Sequence, residues 1–266
     1  LCANTTGVQN VAVGPYALNA NTTANYNNAF GYAALILNTT GTNNTAVGHC
    51  SLGKNATGAH NTASGYRALF SNTTANYNTA HGYLSLTSNT TGISNTGVGK
   101  SALASNTTGN YNTASGYNAL TANTTGCRNT ASGVAALGGN TTGAVFLQPV
   151  NIASGYYSLA ANTTANFNIA VGGCTLYANT IGANLVGVGY KALASNTTGN
   201  HNTAIGYAAM LDNTTGGQHT VVGESALESN TTGSYNTAVG YRAAYSTTSG
   251  AYNVAVGRCA LGSNTT

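Results

Sequence analysis

Apolar and polar positions follow a pattern that repeats every 17 residues along the chain. One unit reads approximately N-T-A-V-G-Y-x-A-L-x-S-N-T-T-G-x-x, and fifteen such units follow one another. In each unit a short alternating segment leads into a glycine, and a leucine usually follows four residues later. Glycine and Asn-Thr pairs recur every few residues, which argues against helix, and the residues before the glycine are often β-branched. The pattern therefore predicts two or three short strands in each unit, joined by tight corners.

A unit this short cannot bury its own leucine, so successive units must stack on one another as coils. A glycine recurs in all fifteen units, from Gly14 to Gly257, and predicts a bend with positive φ or a close backbone approach. The leucines, beginning with Leu18 and Leu35, are the predicted inward side chains. The sequence thus predicts an all-β fold, a parallel β-solenoid or β-roll of about fifteen 17-residue coils.

The domain organisation follows from the same repeat. Residues 1–266 form a single predicted repeat array, interrupted once by a five-residue insertion within 144–150. That insertion contains Val145, Phe146 and Leu147, and it fits either a tolerated corner loop or a local docking surface. Neither end carries a polar capping segment of the kind that solenoids need for solubility. We therefore expect a slice of a longer array, or a filament subunit that stacks end to end.

Composition removes several classes of function. Charged residues make up 4% of the chain, and its seven Lys and Arg are scattered, so no nucleic-acid partner is expected. No apolar run is long enough to cross a bilayer, so this segment is not expected to insert into a membrane. The only acids are Asp212, Glu224 and Glu228, and the five histidines fall at several different positions of the unit. We therefore expect no catalytic residues, no metal site and no cofactor.

Two asparagines recur in register. One opens the Asn-Thr-Thr tripeptide and the other stands four residues before the glycine. Stacked at strand spacing, identical amides can hydrogen-bond along the solenoid as a ladder. The tripeptide is also an acceptor sequence for N-glycosylation, and an inward ladder asparagine cannot carry a glycan. The candidate glycosylation residues are Asn21, Asn38, Asn72, Asn89, Asn106, Asn123, Asn140, Asn162, Asn196, Asn213 and Asn230.

Cysteines and aromatic residues supply two further candidate features. Several coils separate the cysteines, so intrachain bridges are excluded, and the thiols are either free or paired between chains. Cys2 and Cys259, near the two ends, are the candidates for an interchain disulfide. Aromatic residues recur just after the Asn-Thr-Thr corner and either line a sugar- or surface-binding stripe or stiffen the coil by stacking, namely Tyr26, Tyr77, Tyr111, Phe167, Tyr235 and Tyr252.

The unit also resembles a known kind of repeat. Ala46-Val47-Gly48, Ala204-Ile205-Gly206 and Ala238-Val239-Gly240 resemble the A-I-G-x-x-S/A-x-A signature of YadA-like heads in trimeric autotransporter adhesins. The NTAVGY-type array is also similar to repeats of phage tail fibres. The resemblance covers nearly the whole chain and implies a left-handed parallel β-roll with three chains around one axis. The coil here is longer than is typical of those heads, and the additional residues fall in Asn-Thr-Thr-Gly.

These observations lead to an expected function. Val47, Val98, Val171 and Val239 directly precede the glycine, so both strand faces carry apolar residues and the second face is expected to meet another chain or layer. We expect an extracellular or virion fibre, or a cell-surface adhesin shaft or head, that is homotrimeric and non-catalytic. Its partners are expected to be itself, glycans, or a host or abiotic surface. A glycan-coated filament subunit and an ice-binding solenoid stay open as alternatives, although no second threonine file is evident beside Asn-Thr-Thr.

Overall fold

The fold is all-β and built from parallel coils, as the 17-residue repeat predicts. The structure, a computed structural model, describes residues 1–142 and 150–266. The coils group into two compact units, residues 1–129 and residues 130–266. The described residues contain fifteen strands and no helix. Each unit is a β-solenoid whose consecutive strands pair in parallel, which confirms the predicted fold class.

The first unit contains seven strands, and each is hydrogen-bonded to the next along the chain. Partners are 17 residues apart, so that Thr62 pairs with Thr79 and Ala63 with Ala80. Identical positions of the repeat therefore lie directly above one another. The strands are β1 (Val11–Val13), β2 (Asn28–Phe30), β3 (Thr45–Val47), β4 (Thr62–Ser64), β5 (Thr79–His81), β6 (Thr96–Val98) and β7 (Thr113–Ser115).

The second unit contains eight strands with the same parallel pairing. Thr130 pairs with Ile152, 22 residues later, so the register of the coil is kept beyond the predicted insertion. That insertion itself, apart from Val150, lies outside the described residues. The strands are β8 (Thr130–Ser132), β9 (Asn151–Ser154), β10 (Asn168–Val171), β11 (Val186–Val188), β12 (Thr203–Ile205), β13 (Thr220–Val222), β14 (Thr237–Val239) and β15 (Val254–Val256).

Each coil contains one strand, and the prediction of two or three was wrong. The rest of the coil is a series of turns, but its backbone still bonds to the neighbouring coils. The amide of Leu52 donates to the carbonyl of Ala68 at 3.0 Å, and that of Lys54 to Phe70 at 2.9 Å. The backbone is therefore satisfied between coils even where it is not extended, as buried peptide groups require.

Left-handed backbone conformations produce these turns. Three non-glycine positions of a coil have positive φ, and in one coil they are Cys50 (55°), Leu52 (49°) and His60 (58°). Each such residue costs about 1–2 kcal/mol relative to the right-handed region. The amides of Cys50 and His60 donate to the coil before, at 2.9 Å and 3.0 Å, whereas that of Leu52 donates to the coil after. Hydrogen bonds to both neighbouring coils thus hold the strained turns.

The recurring glycine has the role that the sequence predicts. Its φ lies between 120° and 143° in every coil, a region that L-residues rarely adopt. A Cβ on Gly48 would lie 2.6 Å from the carbonyl oxygen of Gly65 in the next coil. Both the backbone conformation and the close approach of successive coils therefore require glycine at the end of each strand.

Leucine and alanine fill the interior of the coils. Leu52, Leu69 and their equivalents from Leu18 to Leu227 are fully buried, as is Met210, which replaces leucine in one coil, whereas Leu261 in the last coil is 44% exposed. The middle residue of the strand also points inward, and it is usually an alanine such as Ala46 or Ala63. Burial of one leucine side chain contributes about 2 kcal/mol. The predicted inward positions are confirmed.

Candidate functional surface

The asparagine that opens Asn-Thr-Thr, here called the corner Asn, lies inside the coil. The Nδ2 group of Asn89 donates to Oδ1 of Asn72 at 3.1 Å and to the carbonyl of Gly92 at 2.9 Å. Its own Oδ1 accepts from Nδ2 of Asn106 at 2.8 Å. The amide is thus hydrogen-bonded to the coil before, the coil after and its own turn. The predicted ladder of identical amides is present at this position.

The candidate glycosylation residues are all corner asparagines, and their side chains are at most 1% exposed. A glycan on Nδ2 would replace one of two donated hydrogens and would require space inside the coil. The folded coil has no such space. The structure therefore argues against N-glycosylation at Asn21, Asn38, Asn72, Asn89, Asn106, Asn123, Asn140, Asn162, Asn196, Asn213 and Asn230.

The second asparagine, four residues before the glycine, forms a different set of hydrogen bonds. Oδ1 of Asn44 accepts from the backbone amide of Asn61 at 2.9 Å. Its Nδ2 donates at 2.8 Å to the carbonyl of Gly58, which also accepts from the corner residue Asn55 at 2.8 Å. This position is thus mainly a side-chain-to-backbone ladder. The two asparagine files share an acceptor and fix two corners of the coil together.

The two threonines of Asn-Thr-Thr have different environments. The first is half-buried, and its hydroxyl joins a ladder, as when Oγ1 of Thr107 donates to the carbonyl of Thr124 at 3.1 Å. The second is exposed, and we call this file the corner Thr. Thr74, Thr91 and Thr108 are examples. Because only one of the two hydroxyls is free, the tripeptide presents a single threonine file to solvent.

The outward side of the strands forms a second repetitive surface. The strand face is defined here as the first and third side chains of β3–β7, which alternate with the buried middle residue. The first position is threonine in all five strands, and the third is valine, serine or histidine. The strand face comprises Thr45, Val47, Thr62, Ser64, Thr79, His81, Thr96, Val98, Thr113 and Ser115.

The strand face and its counterpart in the second unit carry no formal charge. All ten Lys, Arg, Asp and Glu residues lie at other positions of the coil. In the second unit the outward strand positions are more apolar, and Ile152, Ile169 and Val171 are between 37% and 40% exposed. These side chains confirm that apolar residues lie on both faces of the strand.

The predicted aromatic stripe is exposed, and three of its six rings, Tyr77, Tyr235 and Tyr252, stack on an aromatic ring of a neighbouring coil. Tyr235 and Tyr252 stack with centroids 4.8 Å apart and an interplanar angle of 4°, and His60 stacks on Tyr77 at 5.1 Å. Where the rings of consecutive coils stack in this way, their faces are already in contact, and sugars bind through ring faces. The contacts at these two pairs favour the stiffening role.

A second aromatic file, at a position for which the sequence pattern gave no prediction of ring stacking, follows the recurring glycine. Tyr66 stacks on His49 at 5.4 Å and on Tyr83 at 5.3 Å. Lys100 takes the aromatic position in one coil, with Nζ 5.9 Å from the ring centre of Tyr83 and 5.5 Å from that of Tyr117. The cation thus takes the place of a ring, at distances typical of a cation–π contact.

All five cysteines are free. Cys2 and Cys259 are exposed, whereas Cys50, Cys127 and Cys174 are half-buried. The absence of intrachain bridges agrees with the expected separation along the stack. The interchain disulfide at Cys2 and Cys259 stays a prediction.

Reactive side chains are not clustered in the part of the chain that the structure describes. No three His, Cys, Asp or Glu residues there approach closely enough to hold a metal ion. A shallow depression lined by Asn200, Gln218 and Tyr235 lies at a corner of the second unit. Within residues 1–142 and 150–266 there is no helix that could span a membrane.

One histidine takes over the role of an asparagine. His219 stands four residues before the glycine and is 2% exposed. Its Nε2 contacts the carbonyl of Gly233 at 2.7 Å, and its Nδ1 accepts from the amide of Asn236 at 3.2 Å. These partners fit the neutral ring with the proton on Nε2. Burial lowers the pKa of His219 from its ordinary value of 6.5, and the contact with the carbonyl of Gly233 opposes this in part.

Comparison with known proteins gives no relative. No family model matches the chain, and no curated protein or solved structure matches it.

Proposed function

We propose that this chain is a non-catalytic structural segment of an extracellular fibre or surface adhesin. The observation that carries the proposal is the repetition of one ladder set, of corner Asn, inner Leu and strand-end Gly, through both units. Such a construction gives each coil the same stiffness and the same outer surface. A fibre or an adhesin shaft needs both properties, because it projects a surface and resists force.

Hydrogen bonds between coils give the array its resistance to force. In one coil the backbone, the two asparagine files and the first threonine of Asn-Thr-Thr all bond to the next coil. Separating two coils requires these bonds to break together, and each contributes about 1 kcal/mol net. An outer surface with few charges favours binding through many weak identical contacts, which gain strength through multivalency.

The chain does not need a partner to close its core. The inner leucines are fully buried within a single chain, so the trimer that the resemblance implies is not required for folding. We therefore propose the single-chain solenoid as the building unit of the fibre. Light scattering under reducing conditions distinguishes the alternatives, because a single chain has a mass of 26.5 kDa and a trimer three times that mass.

An adhesion assay tests the proposed function. Beads coated with the chain are passed over cell, polysaccharide and mineral surfaces under flow, beside beads coated with a version lacking the three coils of residues 62–112. Because contacts act together, retention on a recognised surface should fall more steeply than the number of coils. Failure of the complete chain to hold beads on any surface would overturn the adhesin role, and a compliant, protease-sensitive chain would overturn the fibre role.

A further inference from the structure

We propose that the strand face of the first unit binds ice, with its threonine file and the adjacent file of valine, serine and histidine seated on the oxygen lattice of the crystal surface. This role goes beyond that of a fibre or adhesin, and it does not depend on attachment to one. The register of β3–β7 places Thr45, Thr62 and Thr79 in one file and Val47, Ser64 and His81 in the next.

Two distances describe the arrangement of side chains on the strand face. Along the stack, equivalent side chains repeat at about 4.8 Å, the spacing of paired strands. Across each strand, the first and third side chains lie about 6.6 Å apart. The water oxygens at the surface of an ice crystal also form a rigid two-dimensional lattice with repeats of a few ångströms. Side chains that repeat at a fixed spacing from strand to strand, as the threonine file does, can therefore contact several lattice positions at once.

The chemistry of the strand face also fits an ordered water lattice. It has no formal charge, so it holds no strongly bound hydration shell that would compete with the crystal. Among the described residues, the hydroxyl of Thr79 has no hydrogen-bond partner within the protein, and neither does that of Thr113. Threonine and valine are stiff at χ1, so little side-chain entropy is lost on binding. Each threonine offers a hydroxyl to a lattice position and a methyl group to the space between positions.

The corner Thr file is not equivalent to the strand face. It lies outside the strands, and the residues two positions further along the chain, such as Asn76, Ile93 and Asn110, do not share a strand with it. The expected second file of threonine is thus missing from Asn-Thr-Thr, as the sequence indicated. The strands carry a threonine file of their own, at Thr45, Thr62, Thr79, Thr96 and Thr113.

The size of the strand face argues against a protein partner. Even with β1 and β2 of the same sheet included, seven strands at about 4.8 Å, each three residues long at about 3.3 Å, present roughly 330 Å². A stable protein interface needs about 800 Å² from each side. An ice crystal has no such minimum, because a growing surface closes around an adsorbed molecule and retains it.

Freezing-point measurements test the proposal. The complete chain should depress the freezing point of a crystal below its melting point and should shape the crystal. The double variant Thr79→Lys with Thr113→Lys should lose this hysteresis at least tenfold at equal concentration, because two charges disrupt the lattice contact. The matched double variant Thr74→Lys with Thr108→Lys adds the same charges to two exposed corner Thr residues, and it should keep the hysteresis within twofold.

Three results would overturn the proposal. The first is a complete chain that neither lowers the freezing point nor shapes ice. The second is an equal loss in the strand and corner variants. The third is an oligomer, seen by light scattering, that the strand variants dissociate, since this would make the face a protein interface. If circular dichroism shows that the lysine variants are unfolded, Thr79→Tyr with Thr113→Tyr replaces them, because tyrosine favours strands and still disrupts a flat surface.

Discussion

At the scale of single residues, the corner Asn contributes more to the stability of the fold than any exposed residue near it. Replacement of Asn89 by alanine removes three hydrogen bonds and leaves Oδ1 of Asn72 without a partner, whereas the carbonyl of Gly92 and Nδ2 of Asn106 each keep one other hydrogen bond. At about 1–3 kcal/mol for the unsatisfied oxygen and about 1 kcal/mol for each of the other two lost bonds, we expect Asn89→Ala to lower the free energy of unfolding by about 3–5 kcal/mol. Urea denaturation followed by circular dichroism measures this change.

Thr91→Ala is the matched control for that substitution. Thr91 is exposed and belongs to the same Asn-Thr-Thr tripeptide, so both changes remove the same N-glycosylation acceptor sequence. We expect Thr91→Ala to change stability by at most about 0.5 kcal/mol. Equal destabilisation by the two variants, in protein from a host that glycosylates, would show that a glycan and not the amide ladder stabilises this coil.

His219 makes the stability of the second unit sensitive to pH. Burial lowers its pKa in the folded state, so the unfolded chain takes up a proton first as the pH falls. The stability that the neutral ring supports is complete above about pH 6.5 and is lost progressively as the pH falls toward the lowered pKa. We expect the urea midpoint of the natural chain to fall across this window.

The substitution His219→Asn should remove that fall. An asparagine can donate to the carbonyl of Gly233 and accept from the amide of Asn236, as Asn202 does with Gly216 through a 2.8 Å bond. Its amide does not titrate, and the other four histidines are present in both chains. Urea midpoints at pH 8, 7, 6 and 5 isolate the contribution of His219. Parallel pH profiles in the two chains would contradict the assignment.

At the scale of the coil, the sequence predicts the stacking but not the local backbone. Inward leucines and recurring glycines indicate parallel coils, because each residue type has one physical reason to recur at its position. The turns are harder to predict, since Leu52 and Cys50 adopt positive φ although neither residue type favours it. Hydrogen bonds from neighbouring coils impose that conformation, and a single unit of sequence does not contain them.

Because coils interact mainly with their neighbours, a whole coil should be removable. Deletion of residues 62–78 joins Asn61 to Thr79 and leaves the 17-residue register intact. We expect this version to keep its circular dichroism per residue and to unfold cooperatively, with a small loss of stability. Deletion of residues 62–79 shifts the register by one residue and places inward side chains outside, so its stability should fall by several kcal/mol. Similar unfolding curves for the two versions would contradict the nearest-neighbour account.

At the scale of the whole molecule, the most repetitive sequence signal and the candidate functional surface do not coincide. Asn-Thr-Thr dominates the sequence because the coil needs its buried amide and its first threonine in almost every turn. The strand face repeats less strictly, since an outward position tolerates Val47, Ser64 or His81 equally well. Internal repetition therefore identified the residues that hold the fold together, whereas the surface became apparent only when exposure and register were known.

The exposed thiols provide a test of covalent assembly between chains. Thiol exchange requires access to the sulfur, and Cys2 and Cys259 are exposed whereas Cys50 and Cys174 are half-buried. We expect oxidation of the reduced chain to give covalent dimers on non-reducing gels, and the double variant Cys2→Ser with Cys259→Ser to remove at least nine-tenths of them. Cys50→Ser with Cys174→Ser, the matched control, should leave the dimer fraction unchanged. Dimers that persist without Cys2 and Cys259 would assign the linkage to a half-buried thiol, and the coil around it would then have to open before chains could join.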